Sequence, residues 1–191
     1  MASEAAAYPV TFDVEYPERL SRWKIFLKWL LAFPHYIVLM FYGIAYFVTL
    51  IIAGFAILFT GRYPRGLFDF AVGLLRWNVR VNVYTNLMRD EYPPFSTTGD
   101  YPARLEIEYP EQLCRWKIFV KWFLAIPHMI ILYGFGMLAG AITFVAFFII
   151  LFTARYPKAL FDLVAGYYRW SNRVNAYVLL LTDEYPPFSL Q

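Results

Sequence analysis

Two long stretches of the chain have no charged position at all. Residues 35–59, HYIVLMFYGIAYFVTLIIAGFAILF, are the first, and residues 128–152 are the second. Each holds 25 residues, and a helix of that length is roughly 37 Å long, enough to cross a hydrocarbon core of about 30 Å with some tilt. Ahead of each run the pattern becomes amphipathic. Trp23, Phe26, Leu27, Leu30 and Leu31 share one face, and Lys24 and Lys28 share the other with Ser21. Pro17 and Glu18 suit the first turn of a helix over residues 18–33. A basic, tryptophan-bearing helix of this kind lies at the level of lipid headgroups. Trp23, Lys24 and Lys28, with Trp116, Lys117 and Lys121 in the later stretch, are therefore the expected interface anchors.

After each run, residues 63–87 read as a further helix with Pro64 in its first turn. Asp69, Gly73, Arg76 and Arg80 fall at i, i+4, i+7 and i+11, which is one helical face. Asp162, Gly166, Arg169 and Arg173 repeat that face. Residues 10–15 and 104–108 alternate apolar and polar, the pattern of a short strand. Residues 90–96 and 183–189 both read DEYPPFS, an extended, proline-held tail.

These elements recur at a constant offset of 93, from Tyr8 with Tyr101 to Ser96 with Ser189, without a gap. The chain thus divides into a leader over residues 1–7, expected to be disordered, a repeat over 8–96, a linker over 97–100 and a second repeat over 101–191. Tyr-Pro occurs eight times, always at a predicted element boundary. Its proline starts or stops a helix, and its tyrosine suits an interface where the ring is covered and the hydroxyl stays wet.

Composition sharpens the picture. The chain is 60% hydrophobic, 21% aromatic and 16% charged, whereas ordinary soluble domains are about 45–50% apolar and 25% charged. Such an excess of apolar surface calls for lipid, or a very large partner, to cover it. The single cysteine, Cys114, rules out an internal disulfide. No cleavable signal peptide is evident ahead of the first apolar run. The basic residues flank the apolar runs, which argues against nucleic-acid binding.

The segments YPERLSRWKIFLKWLLAFPH, ILFTGRYPRGLFDFAVGLLRWNVRVNVY and DEYPPFS resemble the bacterial DUF4389 family of membrane proteins. Both repeats carry the resemblance. The family is a domain of unknown function, so it implies membrane residence and no particular activity.

Both repeats place their basic residues mainly before the apolar run, which calls for the same orientation of each. That requires an even number of crossings per repeat, so the expected fold is an all-α integral membrane protein of tandem, parallel helical hairpins. Amphipathic interfacial helices and short extended segments complete the repeats, four membrane helices in all. An alternative keeps residues 63–87 in the interface and bends the apolar run into a shallow hairpin near Gly43. The expected location is the bacterial inner membrane, multi-pass, with a cytoplasmic N-terminus.

No phosphate-cradling glycine loop or nucleophile elbow is present, so no enzyme is expected and no cofactor is implied. Three functional readings remain. The first is a structural or lipid-interacting subunit, as a homo-oligomer or within a larger membrane complex. The second is a small transporter or channel in which Asp69, Arg76, Arg80, Asp162, Arg169 and Arg173 line a polar seam that takes lipid phosphate or another anion. The third is a redox subunit in which His35 and His128, expected at one depth, ligate a haem or metal.

Overall fold

A computed structural model describes residues 8–191; the proposed leader over 1–7 lies outside the described residues. Each repeat is one strand and one helical hairpin. The first comprises β1 (Val10–Val14), α1 (Lys24–Thr60) and α2 (Arg65–Thr85). The second comprises β2 (Ala103–Ile107), α3 (Lys117–Thr153) and α4 (Lys158–Val178).

The amphipathic stretch and the apolar run form one helix instead of two. α1 continues through Pro34 and α3 through Pro127. A proline removes one ladder bond and crowds the preceding turn. Here the Tyr92 hydroxyl donates to the Leu31 carbonyl at 3.1 Å, one turn before Pro34, and Tyr185 does the same to Leu124 at 3.2 Å. α1 also begins later than Pro17 suggests. Residues 17–20 stay non-helical because they dock on the other repeat: Leu20 is buried, and its N–H donates to the Ala154 carbonyl at 2.8 Å. At the far end α1 stops on Gly61 in the left-handed region, φ 71°. α3 stops on Ala154 in the same conformation, φ 56°, where a Cβ costs about 1–2 kcal/mol.

The repeats are antiparallel, which corrects the expected parallel arrangement. β1 pairs antiparallel with β2 in the register Val10↔Ile107, Phe12↔Leu105 and Val14↔Ala103. Phe12 and Leu105 are themselves equivalent positions at the offset of 93, so a pseudo-two-fold axis passes through that pair. The helices obey the same axis. The start of α1 meets the end of α3, with Phe26 and Phe147 rings 5.2 Å apart. The start of the second hairpin meets the end of the first, where Leu113 N–H donates to the Gly61 carbonyl at 2.8 Å. Each end of the α1–α3 pair therefore carries the basic leader of one repeat beside the turn of the other. Both ends hold the same charges, and the bias that suggested a common orientation does not report one.

Along the axis the molecule has three layers. The sheet is outermost, with Val10, Phe12, Val14, Ala103, Leu105 and Ile107 facing inward. β2 packs on α2 and β1 on α4, and those helices pack in turn on α1 and α3. Covered on both sides, α2 and α4 are not the lipid-facing return arms expected of a four-crossing bundle. Among the described residues, only α1 and α3 are long and apolar enough to cross a membrane, and they are mostly uncovered. In α1 the buried residues Ile25, Lys28, Ala32, His35, Leu39, Tyr46, Ala53 and Ile57 form a single narrow stripe. Val38 and Leu50 beside the stripe are half-buried, and most of the remaining circumference is exposed, as it is in α3.

Candidate functional site

The buried stripe contains the least expected chemistry. Lys28 and Lys121 do not face headgroups as anchors; they are 0% and 1% exposed. An amphipathic pattern assumes that a lysine marks the wet side, and here each has a carboxylate waiting inside. Lys28 Nζ lies 2.8 Å from Asp90 Oδ1 and donates to the Arg89 carbonyl at 2.8 Å. It also sits over the Tyr84 ring, 5.3 Å from its centroid. Asp90 Oδ2 in turn accepts the Ser21 N–H at 2.5 Å. The second repeat reproduces the knot: Lys121 with Asp183 at 2.7 Å, the Thr182 carbonyl at 2.7 Å and the Tyr177 ring at 5.2 Å. Of the remaining anchors, Trp23, Trp116 and Lys117 are exposed and Lys24 is half-buried.

About two turns further along each stripe sits a histidine, fully buried and not at a wet helix mouth. Trp77 Nε1–H donates to His35 Nδ1 at 3.1 Å, so in the neutral ring the proton is on Nε2. Phe95 stacks on the imidazole at 3.8 Å and 11°, and Tyr92 closes the side at 5.0 Å. His128 is held identically by Trp170 at 3.0 Å, Phe188 at 3.8 Å and Tyr185 at 5.0 Å. The YPPF tail is thus the cover of an aromatic box around each histidine. With the helices antiparallel, the two histidines stand roughly 15 Å apart along the helix direction, ten residues by the Phe26–Phe147 register. The structure does not bring them together around one ion or one haem. Among the described residues no group of three or more His, Cys, Asp or Glu has metal-site geometry.

The predicted Asp/Arg face divides into two unrelated parts. Asp69 pairs with Arg65 at 3.1 Å, and Asp162 with Lys158, both as solvent-exposed i,i+4 bridges at helix starts. The arginines turn instead to backbone carbonyls of the outer layer. Arg76 Nε donates to Leu105 O at 2.8 Å. Arg80 donates to Ser96, Thr98 and Gly99 carbonyls at 3.3, 3.1 and 2.6 Å, gathering the linker into a turn. Arg169 donates to Phe12 O at 3.3 Å and Leu190 O at 2.9 Å, and Arg173 lies over the Tyr8 ring at 5.6 Å. Burial, and then the Arg76 charge, lowers the Arg80 guanidinium from its usual value. A polar cavity of about 340 Å³ opens beside Arg76, Arg80 and Arg104, but Asp100 and Glu106 line it too. Its carboxylates oppose a free anion.

The Tyr-Pro tyrosines are internal struts as well. Six of the eight hydroxyls donate to main-chain carbonyls, four of them across the repeats: Tyr8 to Glu184 O, Tyr101 to Glu91 O, Tyr16 to Tyr156 O and Tyr109 to Tyr63 O. The signal that would have found the knot and the box is the retention of Lys28, His35, Trp77 and Asp90 as Lys121, His128, Trp170 and Asp183 in repeats that differ at many other positions. His35 and Trp77 are 42 apart, as are His128 and Trp170, while the sequence between them drifts.

On the opposite side, an apolar groove of about 670 Å³ runs between α1 and α3, walled by Trp29, Phe144 and Phe147 and floored by Tyr36, Asn86 and Thr143. Asn86 accepts from Thr143 at 3.1 Å and donates to Tyr168 at 2.6 Å, tying α2 to both helices of the other repeat. The equivalent positions of Asn86 and Thr143 are Leu179 and Leu50, so this polar floor exists once.

A family model described as a domain of unknown function (DUF4389) matches residues 22–97 and again residues 115–189. No curated protein and no solved structure matches the chain.

Proposed function

We propose that this chain, which belongs to the DUF4389 family, is a non-enzymatic, lipid-embedded structural module of a bacterial cell membrane. One observation carries the reading: the uncovered surface of α1 and α3. Off the buried stripe, Phe26, Trp29, Leu30, Phe33, Phe41 and Phe47 are each more than half exposed, and α3 is alike. Soluble monomers rarely leave more than a few hundred Å² of contiguous apolar surface in water. The polar side chains that looked chemically active are occupied in holding the tails and leaders of the two repeats, which suits a rigid support better than a catalyst. The groove floored by Asn86 and Thr143 opens on the apolar side, where an acyl chain can lie in it. The test is flotation with liposomes followed by alkaline carbonate extraction. The protein should stay with lipid. Release as a monodisperse species in detergent-free buffer would refute the proposal.

A further inference from the structure

We infer that α1 and α3 lie in the plane of the membrane and bury their bare faces in the acyl chains of one leaflet, with the pseudo-two-fold axis along the membrane normal. This rests on the membrane reading above and adds an orientation and a single-leaflet partner to it. The length of the bare strips favours this orientation. From Phe26 to Phe59 the only charged residue is Lys28, which is buried, and the same holds from Phe119 to Phe152 with Lys121. Each bare strip has 34 residues, from 26 to 59 inclusive, and is roughly 51 Å long at 1.5 Å per residue. A core of about 30 Å would accommodate a spanning strip only at a tilt above 50°, beyond the range of about 0–40° that spanning helices adopt.

The direction of the pseudo-two-fold axis favours it as well. The axis runs perpendicular to α1 and α3 through the Phe12–Leu105 pair of the sheet. Were the helices to cross the membrane, the axis would lie in the bilayer and carry the outer sheet face to mid-depth. That face consists of Thr11, Asp13, Arg104 and Glu106, all exposed. Charges at that depth are among the costliest placements in a membrane protein. Turned by a right angle, the same molecule has no conflict. The sheet stands in water, α2 and α4 form the middle layer, and the bare helices enter lipid. Arg19, Arg22 and Lys24 at one end of α1 and Arg62 and Arg65 at the other come to one level, that of the headgroups. The identical charge of the two ends, puzzling for a crossing pair, is what a helix parallel to the surface needs.

Depth measurement decides the matter. Phe33, Ile44 and Phe55 lie on the bare side of α1 and are about equally exposed at 62, 60 and 58%. In a Cys114→Ser background, the single variants Phe33→Cys, Ile44→Cys and Phe55→Cys carry a fluorophore. The protein is reconstituted in vesicles of phosphatidylcholine with phosphatidylglycerol and quenched by nitroxides at graded acyl-chain depths. The three labels should report one depth. A crossing helix would place Ile44 deepest, about 16 Å along the helix from either neighbour, and that V-shaped profile overturns the orientation alone. A label on Glu106→Cys should escape all lipid nitroxides; quenching by the deepest one overturns it as well. Failure of the protein to associate with vesicles overturns the membrane reading itself, and the orientation with it.

Discussion

Removing either partner of the Lys28–Asp90 pair should destabilise the protein, and by unequal amounts. Breaking a buried pair from one side generally costs about 3–5 kcal/mol, since the other charge stays behind uncompensated. The two survivors differ here. In Lys28→Met the remaining Asp90 side chain is 19% exposed and still accepts the Ser21 N–H, so water and a backbone donor soften the loss toward about 3 kcal/mol. In Asp90→Asn the remaining ammonium is 0% exposed, and the Arg89 carbonyl, the Tyr84 ring and a neutral amide oxygen take the place of a counter-charge. That loss belongs near the upper end, about 5 kcal/mol. The double variant Lys28→Met/Asp90→Asn removes both charges and should recover at least about 2 kcal/mol relative to the sum of the singles. Lys121→Met and Asp183→Asn should behave alike. Tryptophan fluorescence of denaturant unfolding in detergent micelles supplies the four values of each cycle. Equal costs for the two singles, or additivity in the double, would refute the claim that a buried ion pair ties each tail to its helix.

Further outcomes follow from single contacts. Gly166→Ala puts a Cβ 2.9 Å from the Leu190 carbonyl, the oxygen that Arg169 holds. The C-terminal segment should come loose, cost about 1–3 kcal/mol and become cleavable in limited proteolysis. Gly43→Ala meets nothing within 4 Å and should raise the unfolding midpoint, by about 0.5–1 kcal/mol of helix propensity. Trp77→Phe deprives buried His35 of its donor and should cost about 1–3 kcal/mol, with Trp170→Phe adding to it independently across the axis. Burial works to raise the Glu91 carboxyl, but bonds from Arg89 and backbone N–H groups outweigh it and hold it below the usual range. Its stabilisation is therefore complete above the unfolded value of about 4.5 and is lost as pH falls through the lowered folded one. The side chain is half-exposed, so Glu91→Gln should flatten the acid limb of the stability profile by less than about 1 kcal/mol.

Local elements were legible because their signals are local. The strand over 10–14, the helix opening after Pro64 and the long apolar helices all follow from period and breaker residues within one window. What was hidden is how the windows meet. Lys28 looks wet on a helical wheel because Asp90, its partner, lies 62 positions later, and no periodicity connects them. Arg76 and Asp69 share a face, yet a helix turn decides little when a strand carbonyl from the other repeat is the nearer acceptor. The antiparallel pairing escaped for a different reason. Charge bias reports orientation only for a chain that crosses, and two repeats that exchange their leaders present the same charges at both ends whichever way they point.

The register of the two strands has a consequence for how such a chain came about. Phe12 opposite Leu105 is a position opposite itself, and Tyr8, Tyr16 and Leu20 dock on the second repeat as Tyr101, Tyr109 and Leu113 dock on the first. This is the geometry of an isologous homodimer with exchanged arms, covalently closed by the few residues that Arg80 folds into a turn. A gene encoding one repeat would already specify the whole assembly. Tandem halves of this kind are free to diverge, and the lone polar floor of Asn86 and Thr143 is one place where these two differ.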